Sequence, residues 1–127
     1  MSYSYDEQNV FAKSLRGEIP NSTVLETDHT RAFKDSAPQA PVHGLVFPKG
    51  AYVSHDHFAA DASEAEIIDF MRATAEVCRM TEVSLAAGGE GYRVISNCGA
   101  HGVQDVPHYH LHVLGGRVMG PMLKPAD

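Results

Sequence analysis

The sequence predicts an α+β fold, a mainly antiparallel sheet of five strands accompanied by two helices. Three observations lead to it. Ser63 to Cys78 carries an amphipathic helical period, a shorter helical stretch stands near the N-terminus, and the short segments of β character are separated mainly by connections too brief for crossover helices. With 127 residues, 43% of them hydrophobic and 20% charged, the chain has the size and composition of one globular domain with one core. No repeat or linker divides it, so a single domain over residues 1–127 is expected.

The polar start, Met1 to Asn9, is expected to fray. Val10, Phe11 and Leu15 then fall at helical spacing behind Asn9, a candidate N-cap, and Gly17 and Pro20 stop the helix. Ser22 to Thr27 and Arg31 to Asp35 read as two strands joined by a hairpin at Asp28 and His29. The prolines of Ser36-Ala-Pro-Gln-Ala-Pro41 cannot donate to a ladder, which makes that segment a connector. Val42 to Phe47 follows as a strand with His43, Leu45 and Phe47 on one face.

Ser63 and Glu66 fit a capping box. Ile67, Ile68, Met71, Thr74, Ala75 and Cys78 form the stripe expected to be buried, as core or dimer interface. Gly88 and Gly89 close that segment, with no helix after them to make a phosphate loop. His55 and His57 lie in a polar stretch and read as surface residues. Tyr92 to Ser96 is a strand and Asn97 to Gly102 a loop. Pro107 opens a last strand from His108 to about Leu114, ended by Gly115 and Gly116.

The net charge of −6 argues against long polyanions such as duplex DNA, whose binding rests on Lys and Arg. A small phosphorylated ligand remains compatible, since backbone N–H groups and imidazoles can hold one phosphate. No apolar run approaches the roughly 20 residues that span a bilayer, so no membrane partner is expected. Met1 to Asn9 lacks the apolar region of a signal peptide, and Cys78 and Cys98 stand outside any C-x-x-C pair. A cytosolic location with reduced thiols is the expectation.

The most informative segment is His108-Tyr-His110-Leu-His112-Val-Leu114. On a strand this alternation puts the imidazoles on one face and Tyr109, Leu111 and Val113 on the other. Two chemistries compete. Imidazole is a common zinc ligand, but residues i and i+4 of a strand stand about 13 Å apart, whereas Zn–N bonds measure about 2 Å. His108 and His112 therefore cannot share one ion, and a metal site would need His43, His55, His57 or His101 as well. Nucleophilic catalysis uses all three rings. Neutral imidazole is nucleophilic near neutral pH, so His110 attacks phosphorus while its neighbours donate to phosphate oxygens. This second reading is preferred.

The chain resembles the histidine-triad family, nearest to its branch of nucleotide-binding phosphoramidases. The likeness rests on ordered blocks: Val10-Phe-Ala-Lys13, Gly17-Glu-Ile-Pro20, Ala32-Phe-Lys-Asp35, Ser36-Ala-Pro-Gln-Ala-Pro-Val-His43 and Leu45-Val-Phe-Pro-Lys49. It continues through Gly91-Tyr-Arg-Val-Ile-Ser-Asn97, Gln104 and His108-Tyr-His-Leu-His-Val-Leu-Gly-Gly-Arg117. The resemblance implies a homodimer with a continuous sheet, built partly through the longer helix. It implies hydrolysis of purine nucleoside 5′-phosphoramidates through a nucleotidyl-histidine, with dinucleoside polyphosphate hydrolysis or nucleotide binding alone as alternatives.

By position, the resemblance makes His110 the nucleophile, with His108 and His112 orienting it and the phosphate and His43 supporting them. It gives Asp35 the ribose hydroxyls, and Phe33, Val10, Phe11 and Leu45 the base. Asn97, Gln104 and Asp105 fall on the phosphate side. No metal and no cofactor are implied. Plainer readings stand beside these: Asp35 and Asn97 as turn formers, Phe11, Phe33 and Leu45 as core, His43 as a satisfied buried histidine. Three departures are visible. Asp105 occupies the place of a usual hydroxyl residue, where it repels phosphate when ionised and serves as a proton donor when protonated. Asn9-Val-Phe-Ala12 lacks the C-x-x-C that helps hold a structural zinc in some bacterial relatives. The tail after Val118 lacks tryptophan, so substrate selection near the dimer edge is expected to differ.

Overall fold

A computed structural model describes residues 3–125. Its elements are α1 (Val10–Leu15), β1 (Thr23–Glu26), β2 (Thr30–Lys34), β3 (Val42–Pro48), α2 (His55–Asp61), α3 (Glu64–Met80), β4 (Tyr92–Ser96) and β5 (Leu111–Gly115), with a 3-10 turn at Leu85–Ala87. All strand pairs are antiparallel, in the order β1-β2-β3-β5-β4. The capping signals act as read. The Asn9 side chain accepts from the Ala12 N–H, and Ser63 and Glu66 close a full capping box on α3. Gly17, at φ +79°, takes the left-handed conformation that ends α1.

The central strand β3 is buried along nearly its whole length because both of its faces are covered. On one side Ala32, Val46 and Val113 meet Phe70, Val77 and Cys78 of α3, with Phe58 and Tyr109 beside them. On the other side α1 lays Phe11 onto Phe33, Leu45 and Phe47. Asp69 ties α3 to the β1–β2 hairpin. Its carboxylate accepts from the hydroxyls of Thr27 (2.6 Å) and Thr30 (2.8 Å) and from the His29 amide (3.2 Å). Burial alone would raise its pKa, but the hydrogen bonds outweigh it and hold the carboxyl below its ordinary value. Asp69→Ala leaves the buried Thr30 hydroxyl without this acceptor and is expected to cost about 2 kcal/mol of stability in urea denaturation.

Four features depart from expectation. The described residues hold three α-helices where two were expected. The extra one, α2, has seven residues and buries only Phe58, so no periodicity announces it. It draws His57 half inside, where Nδ1 accepts from the Val53 amide. The stripe of α3 is also displaced: Phe70, Ala73, Thr74, Val77 and Cys78 are buried, whereas Ile68 and Met71 are 51% and 67% exposed. Two adjacent stripes of this helix are apolar, and the sheet covers one of them.

β5 starts at Leu111, later than predicted, so only His112 of the three histidines lies in the ladder. The cause is Pro48, which has no N–H to offer beyond the Val46–Leu111 pair. The preceding segment bonds instead to the loop after β3, through Tyr109 N–H to Tyr52 carbonyl at 2.7 Å. Lastly, the described part of the N-terminal segment is docked rather than frayed. Tyr3 stacks on His57 at 4.1 Å and donates to Asp56.

Candidate active site

The alternation of the histidine segment survives although half of it lies outside the ladder. Tyr109, Leu111 and Val113 enter the α3-side core, while His108 and His110 pack on Phe11. The register sets Leu45 opposite His112 and Phe33 opposite Leu45, so β2, β3 and β5 place an apolar floor beside the imidazoles.

Hydrogen bonds fix the protons. His110 Nδ1 lies 2.7 Å from the His108 carbonyl, which can only accept, so Nδ1 carries the proton and Nε2 keeps its lone pair. The His110 ring stands edge-on to Phe11 at 5.0 Å and 5.1 Å from the His112 ring. The amide of Gln39 donates to His43 Nδ1 at 3.0 Å, so the His43 proton resides on Nε2. That nitrogen lies 2.9 Å from His112 Nδ1 and 3.3 Å from Asp35 Oδ2. It donates to His112 Nδ1, which leaves the His112 proton on Nε2. The result is a paired arrangement: a bare nitrogen on His110 and an N–H on its neighbour.

Burial favours the neutral form of His108, His110 and His112. It pushes His110 below the ordinary histidine pKa, against the His108 carbonyl and the charges of Asp105 and Asp35. His112 is lowered by burial and then by His110 and His43. His108 is lowered to about 4, because it is fully buried.

His108 differs from the role expected of it. Its Nε2 donates to the Pro48 carbonyl at 2.7 Å and its Nδ1 accepts from the Tyr5 hydroxyl at 2.5 Å, so neither nitrogen is left for a phosphate. Gln104 likewise departs from a ligand role. Its amide donates to the Val53 and Val106 carbonyls and its oxygen accepts from the Gly99 amide, which braces the loop. The Asn97 side chain donates to the Gly102 carbonyl across the same loop. Asp105 is exposed, as is Val10, whereas Phe11, Phe33 and Leu45 are buried in their cluster with Phe47. Tyr5 and the Gln39 amide were missed by sequence reasoning. A tyrosine in a polar segment has no periodicity to mark it, and a backbone donor has no residue type.

A hollow of about 390 Å3 is lined in part by Asp35, His43, Lys34 and Met80. A larger one, about 690 Å3, lies away from the histidines between β4 and the segment after Gly116. His110 lines neither. Among the described residues Asp35, His43 and His112 bring possible metal ligands within 4.8 Å of one another. Their hydrogen bonding does not suit an ion. Ligation through His43 Nε2 would move its proton to Nδ1, where it would face the Gln39 N–H.

Comparison with known proteins identifies the family of the chain. The HIT domain family matches residues 16–119. An uncharacterized 13.2 kDa HIT-like protein of Azospirillum brasilense is 54% identical over 97% of this chain and 98% of its own. The purine nucleoside phosphoramidase of Escherichia coli is 36% identical over 92% of this chain and 94% of its own. The crystal structure of a HIT family hydrolase from Legionella pneumophila superposes with a TM-score of 0.76 at 35% identity, covering 87% of this chain and 94% of that one. The chain belongs to the HIT domain family.

Proposed function

We propose that the chain is a nucleotide-binding hydrolase that cleaves the P–N bond of purine nucleoside 5′-phosphoramidates through a nucleotidyl-histidine on His110. The observation that carries this reading is the hydrogen bond from His110 Nδ1 to the His108 carbonyl, which leaves Nε2 unprotonated. In the first step the Nε2 lone pair forms a bond to phosphorus and the P–N bond breaks, its electron pair leaving with the amine, which takes up a proton. In the second, water attacks phosphorus and gives up a proton to solvent, the P–Nε2 bond breaks with its electron pair returning to His110, and the nucleoside monophosphate departs. His112 donates its Nε2–H to a phosphate oxygen, and His43 holds His112 in the tautomer that can do so. Asp35 accepts from the ribose, Phe33, Val10, Phe11 and Leu45 border the base, and Asn97 and Asp105 stand on the phosphate side. The likeness to a protein named purine nucleoside phosphoramidase supports the substrate class.

The active form is a cytosolic homodimer with a continuous sheet. Support comes from β4, an edge strand with exposed Tyr92 and Val94, and from the uncovered Ile68 and Met71 of α3.

The test is incubation with an adenosine 5′-phosphoramidate carrying a fluorogenic amine, with and without chelator. Turnover at equal rates in both is expected. Binding of adenosine monophosphate without turnover would instead make the chain a binding module, and cleavage confined to dinucleoside polyphosphates would change the substrate.

A further inference from the structure

We propose that Tyr5 is a positioning residue for the nucleophile, acting through His108; this rests on the reading of His110 given above. Tyr5 lies outside the segment matched by the family, residues 16–119. Its ring meets His108 edge-on at 5.5 Å and its hydroxyl lies 2.5 Å from His108 Nδ1. The other ring nitrogen, Nε2, faces the Pro48 carbonyl at 2.7 Å and must donate to it. The tyrosine hydroxyl is therefore the donor, and His108 is held in a single tautomer with both nitrogens occupied.

The same residue supplies the carbonyl that accepts from His110 Nδ1 at 2.7 Å. A peptide anchored through its own side chain at both ring nitrogens gives that acceptor a fixed direction. The bond from His110 then fixes where the Nε2 lone pair points. Without the hydroxyl, His108 Nδ1 is left bare in a site with no exposure, and the ring regains a partner only by moving or by admitting water.

Tyr5 is held independently of His108. The Asp6 carbonyl, next in the chain, accepts from the Asn9 amide (3.2 Å) and side chain (2.7 Å), and Asn9 caps α1. α1 also carries Phe11, whose ring lies against His110 at 5.0 Å. One N-terminal unit thus grips the histidine segment at two successive imidazoles. Tyr5 touches no reacting atom; its effect passes through the backbone of residue 108.

Tyr5→Phe and Tyr5→Leu in the full chain test this. Tyr5→Phe is expected to lower kcat by about tenfold, the worth of one hydrogen bond, with KM within about twofold of wild type. Nitrogen-15 spectra should show the His108 Nδ1 resonance moving toward that of an unbonded nitrogen and the His110 Nδ1–H resonance shifting with it. A role confined to packing would leave both resonances and kcat unchanged in Tyr5→Phe and lose activity only in Tyr5→Leu; that result overturns the proposal. The wild-type spectrum decides if Tyr5→Phe does not fold: His108 must carry its proton on Nε2, and a proton on Nδ1 refutes the idea. The spectra need no substrate. A wild-type chain inert toward phosphoramidates would therefore sink the functional reading, while an unmoved His110 resonance in Tyr5→Phe would sink this one.

Discussion

His110→Ala is expected to lower phosphoramidate turnover by about a thousandfold or more while mononucleotide binding persists. The reason is covalent. No other nitrogen in the site combines a lone pair with a neighbouring donor: His112 Nδ1 accepts from His43, His43 Nδ1 accepts from Gln39, and both nitrogens of His108 are bonded. Circular dichroism should show the fold retained, since the ring contributes one hydrogen bond and its contacts with Phe11 and His112. The pH profile of kcat/KM gives a second check. His110 must be neutral to attack and its pKa is depressed, so the acid limb should fall below the ordinary histidine value near 6.5. An alanine variant that keeps more than about a tenth of the wild-type rate would remove His110 from the mechanism.

A loss of stability in mild acid is the other large effect. His108 alone is expected to remove about 3 kcal/mol as the pH drops from about 6.5 to about 4. In the folded chain this ring stays neutral down to about 4, whereas the unfolded chain takes up a proton near 6.5. Between those values the unfolded state binds more protons, so stability rises with pH; the contribution is complete above 6.5 and gone below 4. His110 and His112, also depressed by burial, act in the same direction. Glu66 and Asp69 are held low by hydrogen bonds, so their contributions disappear only at lower pH, beneath the ordinary carboxylate values. Urea midpoints measured at half-unit intervals should decline through the histidine range first. A flat midpoint between about pH 7 and pH 5 would show that His108 is not buried as described.

The strands from Thr23 to Ser96 and both predicted helices were legible because each rests on local signals: alternation, a cap, a proline or a glycine at the end. What was not legible depends on partners distant in sequence. α2 forms where a serine cap and one phenylalanine suffice, and its position is fixed by the core it joins. Ile68 and Met71 are as apolar as Phe70 and Val77, and only the placement of the sheet decides which pair is covered. The site shows the same division. The alternation of His108, His110 and His112 is written in the sequence, but His108 sits where a carbonyl from residue 48 and a hydroxyl from residue 5 enclose it. The resemblance puts Gln104 on the phosphate side, whereas its loop claims every polar atom of its side chain.

Pro48 carries a wider consequence. By halting the zipper between β3 and β5 at Leu111, it leaves His108 and His110 on a stretch that is anchored at points instead of being stitched along its length. Such a stretch can be realigned by exchanging single anchors while the scaffold beneath keeps its shape. The alignment of His108 and His110 with His112 therefore rests on a few single contacts, and the regular pairing beneath does not set it.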